Sequence, residues 1–255
     1  GNGRRYFGEP AGSLRIGVPA PDQLEFFGDS AAERCFAEAL EKVAGAGHEI
    51  IRVDFAPFLE AAKLLYEGPW VAERYLAVRE ILEASPEAVH PVVREIIAVG
   101  TQGGATDVFA AMYRLQALCQ RAGPTLEAVD MLMTPTVGTC YRLDEVLADP
   151  VRLNSNLVFY TNFMNLMDYS ALAMPVGYLP TGVGFGVTLF HRAFTDKQLL
   201  GAGAALQRLF DLPLGASDQR LDPGQLLVQR TVEGLDDVLD HGGEGKLVEP
   251  DRITR

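Results

Sequence analysis

The stretch that decides the fold is Leu14-Arg-Ile-Gly-Val-Pro19, together with the residues that follow it. This short apolar run ends at a proline, which predicts a β-strand. Asp29 or Ser30 then provides an N-cap for a helix whose apolar residues recur at helical spacing over 35–43. A second apolar strand is predicted over 48–53. Strand, helix and strand at this spacing indicate a βαβ-like unit.

The middle of the chain is predicted to be mostly helical. Four helices are expected over 55–66, 70–83, 86–99 and 106–129, and residues 151–167 are also expected to be helical. Gly68-Pro69 separates the first two, with Pro69 at the first position of the second helix, where a missing N–H costs little. The loop Gly100-Thr-Gln-Gly-Gly104 lies between two helices and not after a strand, so it is interpreted as a plain connection and not a phosphate loop.

The last third of the chain alternates strands and turns before one more helix. A strand is predicted over 130–135, a β-hairpin from 171–176 and 185–190, and a helix over 196–210. These elements predict an α/β fold with a mixed sheet and helices on both of its faces. Residues 1–13 are interpreted as a linker, and 216–255 as a tail of unknown role with one candidate amphipathic helix over 225–239.

Composition and charge exclude several classes of partner. The net charge is −12, from 22 basic and 34 acidic residues, which disfavours nucleic acid and anionic membrane surfaces. No apolar run is long enough for a transmembrane helix, and no signal peptide is visible. Cys35, Cys119 and Cys140 are widely spaced and odd in number, which is typical of a reducing compartment. A cytoplasmic protein is therefore expected.

The usual catalytic and cofactor motifs are missing from the sequence. It contains no G-x-S-x-G, S-x-x-K, G-x-G-x-x-G or Walker pattern, and its four histidines are scattered. Glu25, Asp29 and Glu33 crowd a helix start, where acids favour the helix dipole, so they are interpreted as structural. We therefore expect no catalytic residue in this chain, no metal site and no cofactor.

One cluster has the chemistry of a binding site. Tyr66, Trp70, Glu73, Arg74 and Tyr75 surround the helix break at Gly68-Pro69. A guanidinium can hold a carboxylate through two parallel hydrogen bonds, and a phenol can add a third donor. The alternative is an Arg–Glu pair on a helix surface with the aromatic residues in the core. From the residues alone, the surface pair is the favoured interpretation.

A longer pattern resembles the amidase signature family. It comprises Thr161-Asn-Phe-Met-Asn-Leu-Met-Asp-Tyr-Ser-Ala-Leu-Ala-Met-Pro175, then Gly182-Val-Gly-Phe-Gly-Val-Thr188, with Asp196 before the last helix. Asp130-Met-Leu-Met-Thr-Pro-Thr136 resembles the preceding strand of that family. Asp168 stands where most members have Gly, and Ser170 where most have Pro. The Asn-Leu-x-Asp version, residues 14–29 and residues 65–75 all resemble the allophanate hydrolases in particular.

The resemblance implies a specific function and an incomplete domain. Allophanate hydrolases convert allophanate to ammonia and carbon dioxide in urea and cyanurate breakdown, with a Ser-Ser-Lys triad on a segment upstream of the part matched here. Residues 14–215 therefore resemble the C-terminal part of the amidase domain, without the triad. Allophanate hydrolases bind the substrate carboxylate with a Tyr and an Arg eight residues apart, and the resemblance implies that Tyr66 and Arg74 are this pair. This favours substrate binding over the surface pair.

Three functional hypotheses follow from the sequence. The first is the substrate-binding part of an allophanate hydrolase-like amidase, which takes a small anionic amide and, as the resemblance implies, forms a homodimer. The second is a non-catalytic scaffold or partner subunit. The third is a small-carboxylate binding protein that performs no chemistry.

Overall fold

The computed structural model describes residues 12–212, and of Tyr66 and Glu67 it describes only the backbone. The chain divides into two units, Gly1–Pro213 and Leu214–Arg255. Residues 1–11 of the expected linker lie outside the described residues. So do the expected tail over 216–255 and its candidate helix over 225–239.

A five-stranded mixed sheet forms the centre of the first unit. Its strands are β1 (Arg15–Pro19), β2 (Glu49–Val53), β3 (Met131–Pro135), β4 (Tyr169–Tyr178) and β5 (Gly184–Arg192). Their spatial order is β2-β1-β3-β5-β4. β1 runs parallel to both β2 and β3, whereas β5 is antiparallel to β3 and β4. The βαβ unit and the hairpin expected from the sequence are both confirmed, as is the mixed α/β fold.

Helices connect the strands and cover the sheet. They are α1 (Ser30–Gly45), α2 (Ala56–Glu67), α3 (Trp70–Ala84), α4 (Pro91–Ala98), α5 (Ala105–Ala128), α6 (Leu143–Ala148), α7 (Pro150–Leu157), α8 (Asn162–Leu166) and α9 (Asp196–Gln207). Asp29 caps α1, since its Oδ1 accepts from the amides of Ala31 and Ala32 at 3.1 and 3.0 Å. This side-chain cap satisfies two N–H groups that have no partner within the helix.

Each face of the sheet carries its own apolar core. On one face, α1 and α9 bury Phe36 and Leu206 against Met133 and other strand residues. On the other face, α2, α5 and α8 bury Phe58, Leu118 and Phe163 against Leu132 and Phe190. Neighbouring residues of β3 thus belong to different cores, because successive side chains of a strand point to opposite faces. Helices on both faces of the sheet are therefore confirmed.

The expected helix over 86–99 is wrong in one respect, because it is divided in two. Residues Pro86–Ala88 form a 3₁₀ turn and α4 starts only at Pro91. His90 adopts φ −49° and ψ 132°, which is extended backbone. A residue before proline is pushed out of the α region by the proline ring, so a continuous helix cannot pass through this point.

The stretch 151–167 also differs from the single helical segment expected. It contains two short helices, α7 and α8, and the sequence reasoning missed α6 altogether. The first strand of the hairpin is longer than predicted, since β4 continues through Pro175 and Gly177 with a register shift between them. Proline is tolerated here because β4 has only one neighbour, β5, among the described strands, so a lost N–H need not cost a ladder hydrogen bond.

The departure from the family pattern at Asp168 has a backbone reason. Asp168 has φ +54°, in the left-handed region that glycine adopts without strain. Aspartate is among the few other residues that enter this region readily. The structure therefore accounts for both the glycine of most members and the aspartate found here.

Candidate functional site

The candidate site lies where α2 gives way to α3. Gly68 ends α2 with φ −105° and ψ −176°, and its amide donates to the Leu64 carbonyl at 3.0 Å. A Cβ on Gly68 would lie 2.5 Å from the Leu64 oxygen, so this geometry requires glycine. Pro69 is the N-cap of α3, one position before the first helical residue Trp70, whereas the sequence predicted it at the first helical position. The break is therefore built into the backbone at these two residues.

The two residues proposed to bind substrate lie on opposite sides of that break. Tyr66 is in the last turn of α2, and Arg74 is in the second turn of α3. Arg74 is half-buried, as is Tyr75, whose hydroxyl donates to Glu83 Oε1 at 3.4 Å. The side chain of Tyr66 lies outside the described part of the structure, so its pairing with Arg74 stays a prediction.

α2 is firmly attached to the sheet and to α5. The Phe55 ring contacts Phe190 of β5, and the Phe58 ring contacts both Phe190 and Tyr169 of β4, at centroid distances of 6.0–6.4 Å. On its other side, Glu60 forms ion pairs with Arg114 and Arg121 of α5. The hydrogen bond from Arg121 is the main reason that the pKa of Glu60 lies below its ordinary value. The first half of α2 is thus held against the sheet and against α5.

The first turn of α3 is held by the loop that precedes α5. Val71 is buried, at 4% exposure. A Cβ on Gly100 would lie 2.6 Å from the Val71 oxygen and 3.0 Å from the Ala72 Cα, so two backbone segments touch directly here. Val99–Thr101 form a 3₁₀ turn, closed by a hydrogen bond from the Gln102 amide to the Val99 carbonyl at 3.0 Å, and Thr101 Oγ1 donates to the Ala98 carbonyl at 3.1 Å. The sequence interpretation of this loop as a plain connection did not anticipate that contact.

The acidic residues near the start of α1 are structural, as expected. Asp29 Oδ2 accepts from Thr139 Oγ1 at 3.1 Å, in addition to the helix cap made by Oδ1. Glu25 Oε1 accepts from the amide of Phe27 at 2.6 Å. The hydroxyl of Tyr160 donates to the Glu25 carbonyl at 2.9 Å and accepts from the Glu25 amide at 2.6 Å. These bonds join the segment that follows β1 to Thr139, which follows β3, and to Tyr160, which lies between α7 and α8. No sequence pattern predicted the contacts of Tyr160 and Thr139.

A cleft on the opposite face of the sheet is a less suitable site. It encloses about 210 Å³ between α1, the end of β4 and Phe210, and is lined by Cys35, Glu38 and Lys42 among others. The Lys42 ammonium lies 5.6 Å from the centre of the Phe210 ring. Burial raises the pKa of the Cys35 thiol, which lowers its content of the nucleophilic thiolate. The cleft thus offers only a weak nucleophile.

Two histidines have structural partners, in line with the sequence interpretation. His48 Nδ1 accepts from the amide of Leu14 at 3.1 Å, and His191 Nε2 lies 2.9 Å from the Leu126 carbonyl. Across residues 12–212, no group of three His, Cys, Asp or Glu side chains is arranged to hold a metal ion. None of the described helices is both long enough and apolar enough to cross a membrane.

Comparison with known proteins gives matches to amidases. The family model described as Amidase matches residues 7–200. The urea amidolyases of Lachancea kluyveri and Saccharomyces cerevisiae are 38% and 37% identical over 187 and 190 residues. These matches cover 72% and 74% of this chain. The chain spans about 10% of the length of either relative.

The fold also matches the solved structure of an allophanate hydrolase. Kluyveromyces lactis allophanate hydrolase superimposes with a TM-score of 0.77 and 31% identity. The match covers 86% of this chain and 37% of that one, which agrees with an incomplete amidase fold. The sheet order, the hairpin that follows Asp168 and the match over residues 7–200 all lead to one assignment: this chain belongs to the amidase signature family.

Proposed function

We propose that this chain is the substrate-carboxylate-binding part of an allophanate hydrolase-like amidase, which converts allophanate and water to ammonia and carbon dioxide. The observation that supports the proposal most is the 0.77 TM-score and 31% identity to Kluyveromyces lactis allophanate hydrolase across 86% of the chain. The candidate residues Tyr66 and Arg74 flank the backbone break at Gly68 and Pro69.

Charge gives the proposal its physical basis. Allophanate is a small anion, and the chain carries a net charge of −12, so binding requires a local cation. Arg74 supplies a planar guanidinium that can hold both carboxylate oxygens, whereas lysine offers only a point charge. A hydrogen bond to a charged group contributes about 1.5–3 kcal/mol, compared with about 1 kcal/mol for a neutral one. Arg74 should therefore contribute more than Tyr66.

The test is a conservative substitution in an enzyme that contains this chain together with an active catalytic segment. Arg74→Lys keeps the positive charge but loses the planar guanidinium that can bind both carboxylate oxygens. We therefore expect KM for allophanate to rise about tenfold or more. Tyr66→Phe removes one neutral bond, so we expect a smaller rise of about fivefold. Hydrolysis of a neutral acyl amide should be unchanged in both variants, because such a substrate does not use the carboxylate contact.

Arg79→Lys provides the matched control, because Arg79 is an exposed arginine on the same helix. We expect its kinetics to be those of the unchanged enzyme. If Arg74→Lys leaves allophanate kinetics equally unchanged, the carboxylate assignment is wrong and Arg74 is a structural residue.

The catalytic step is assigned to residues outside this chain. The sequence offers no nucleophile with an adjacent base, so the purified chain alone should release no ammonia from allophanate above the buffer rate. A scaffold subunit or a carboxylate-binding protein without chemistry would give the same result. The Arg74→Lys experiment separates these alternatives from the proposal, since only a substrate-binding role changes KM in the active enzyme. The expected homodimer is likewise a proposal.

A further inference from the structure

We propose that Gly100 is a positioning residue for Arg74, so that the loop before α5 sets the affinity of the enzyme for its carboxylate substrate. The inference rests on the proposed function, because it assigns to Gly100 an effect that reaches substrate only through Arg74. It gives a role to the Gly100–Gly104 loop, which sequence reasoning treated as a plain connection.

The contact at Gly100 is between backbones, which makes it sensitive to a single methyl group. A Cβ on this residue would lie 2.6 Å from the Val71 oxygen and 2.9 Å from the Val71 carbonyl carbon. Ordinary van der Waals contact begins near 3.4 Å, so alanine would require a separation larger by about 0.8 Å. Neither atom belongs to a flexible side chain that can rotate away, so one of the two backbone segments must move.

The first turn of α3 is one of the two backbone segments that the added methyl group would push apart. Val71 is buried and comes three residues before Arg74, within the same helix. A helix moves as a rigid unit over one turn, because its backbone hydrogen bonds link each residue to the fourth one along. A shift imposed at Val71 is therefore transmitted to the Arg74 backbone.

The other side of the site should not follow this movement. α2 is held by the Phe55 and Phe58 rings against the sheet and by Glu60 against α5. A Cβ on Gly68 would lie 2.5 Å from the Leu64 oxygen, so the break between the two helices requires glycine. Moving α3 alone changes the spacing between Arg74 and the groups held by α2. Displacements of about 1 Å at a binding group are known to cost up to about 100-fold in rate.

The experiment is a double-mutant cycle in the active enzyme, read out as KM for allophanate. Gly100→Ala should raise KM about tenfold. Gly103→Ala is the matched control, because the same substitution in the same loop meets nothing within 4 Å. It should leave KM unchanged. In an Arg74→Lys background, where the guanidinium is already absent, Gly100→Ala should raise KM by less than about twofold.

KM is the appropriate readout because it does not depend on the fraction of enzyme that is folded, whereas the apparent kcat does. An unchanged KM in Gly100→Ala overturns the inference, and so does an equal rise in both backgrounds, which would indicate a general structural defect. If Arg74→Lys itself leaves KM unchanged, the proposed carboxylate contact has failed. If Arg74→Lys raises KM and Gly100→Ala does not, only the positioning role has failed.

A second variant keeps the test valid if Gly100→Ala gives no active protein. Thr101→Val removes the side-chain hydrogen bond that ties the 3₁₀ turn to the Ala98 carbonyl at the end of α4, but leaves Gly100 in place. Loss of one neutral hydrogen bond should loosen the turn and raise KM about twofold. An unchanged KM in this variant contradicts the positioning role.

Discussion

Tyr160, which lies between α7 and α8, is hydrogen-bonded to the segment that follows β1, and removing its hydroxyl should measure what that junction contributes. Its side chain is fully buried, at 0% exposure. The hydroxyl accepts from the Glu25 amide at 2.6 Å and donates to the Glu25 carbonyl at 2.9 Å. Tyr160→Phe keeps the ring and its packing against Phe159, but leaves both backbone groups of Glu25 without this partner.

The expected loss of stability follows from those two bonds. A typical hydrogen bond contributes about 0.5–1.5 kcal/mol, and a buried group left without a partner costs about 1–3 kcal/mol. Two backbone groups are affected, so we expect the free energy of unfolding to fall by about 2 kcal/mol. For a unit of about 200 residues this corresponds to a Tm lower by about 4–8 °C.

The assay is urea unfolding of the chain followed by far-UV circular dichroism, with Tyr178→Phe as the matched control. Tyr178 is 57% exposed, so its substitution should change stability by less than about 0.5 kcal/mol. Equal stability losses in the two variants, or a loss below about 0.5 kcal/mol for Tyr160→Phe, would refute the reasoning. The slope of the transition should stay the same, since the surface exposed on unfolding does not change.

A second measurement on the same variant uses its pH dependence. Burial raises the pKa of Tyr160 to about 12, from an ordinary value of 10.0. The unfolded chain therefore loses this proton at a lower pH than the folded chain does. The stability that Tyr160 contributes should be complete below pH 10 and decline as the pH rises towards 12. Tyr160→Phe should show a smaller decline over this window, although Tyr169, whose pKa burial also raises, preserves part of it.

Two further predictions concern groups remote from the candidate site. The hydrogen bond from Arg15 holds the pKa of Asp130 in the folded chain below its ordinary value of 3.8. The Asp130 carboxylate therefore stabilises the fold above pH 3.8, and this contribution is lost as the pH falls through the pKa of the folded chain. Asp130→Asn should therefore be less stable at pH 7 and show a shallower acid limb in urea unfolding, and an unchanged acid limb would contradict this. Cys140 is exposed whereas Cys35 and Cys119 are half-buried, so an alkylating reagent should modify Cys140 first, as followed by mass spectrometry. Equally fast modification of Cys119 would mean that α5 does not cover the sheet as described.

Much of the fold could be predicted because its signals are local. The apolar run before Pro19, the helical spacing after Asp29 and the turn around Gly182 each report on a few consecutive residues. Backbone sterics and side-chain periodicity act over that same range, so strands, helices and the breaks between them can be predicted from the sequence. The order of these elements and the motif over 161–188 were sufficient to indicate the amidase signature family.

The predicted helices and strands were wrong where one local sequence signal is compatible with two different structures. Pro91 ended a helical pattern that otherwise appeared continuous, since its ring acts on His90 before it. The strand predicted over 171–176 was expected to end near Pro175 and Gly177, but β4 continues through both to Tyr178. A proline ends a strand only when its absent N–H is needed by a neighbour, and whether β4 has a neighbour on that side is decided by the whole sheet.

Part of the candidate site could likewise be predicted from the sequence, and part could not. Tyr66, Arg74 and the break between them are visible in the sequence, because they lie within nine consecutive residues. The contact of Gly100 with Val71 and the bonds of Tyr160 to Glu25 are not, because they join residues far apart in the chain. Such contacts exist only after helices and strands have packed, and packing depends on the shapes of all the surfaces that meet. Local physical chemistry therefore determined the helices, the strands and the break at Gly68 and Pro69, and the family resemblance selected Tyr66 and Arg74, whereas tertiary structure alone decided what holds α2 and α3 in place.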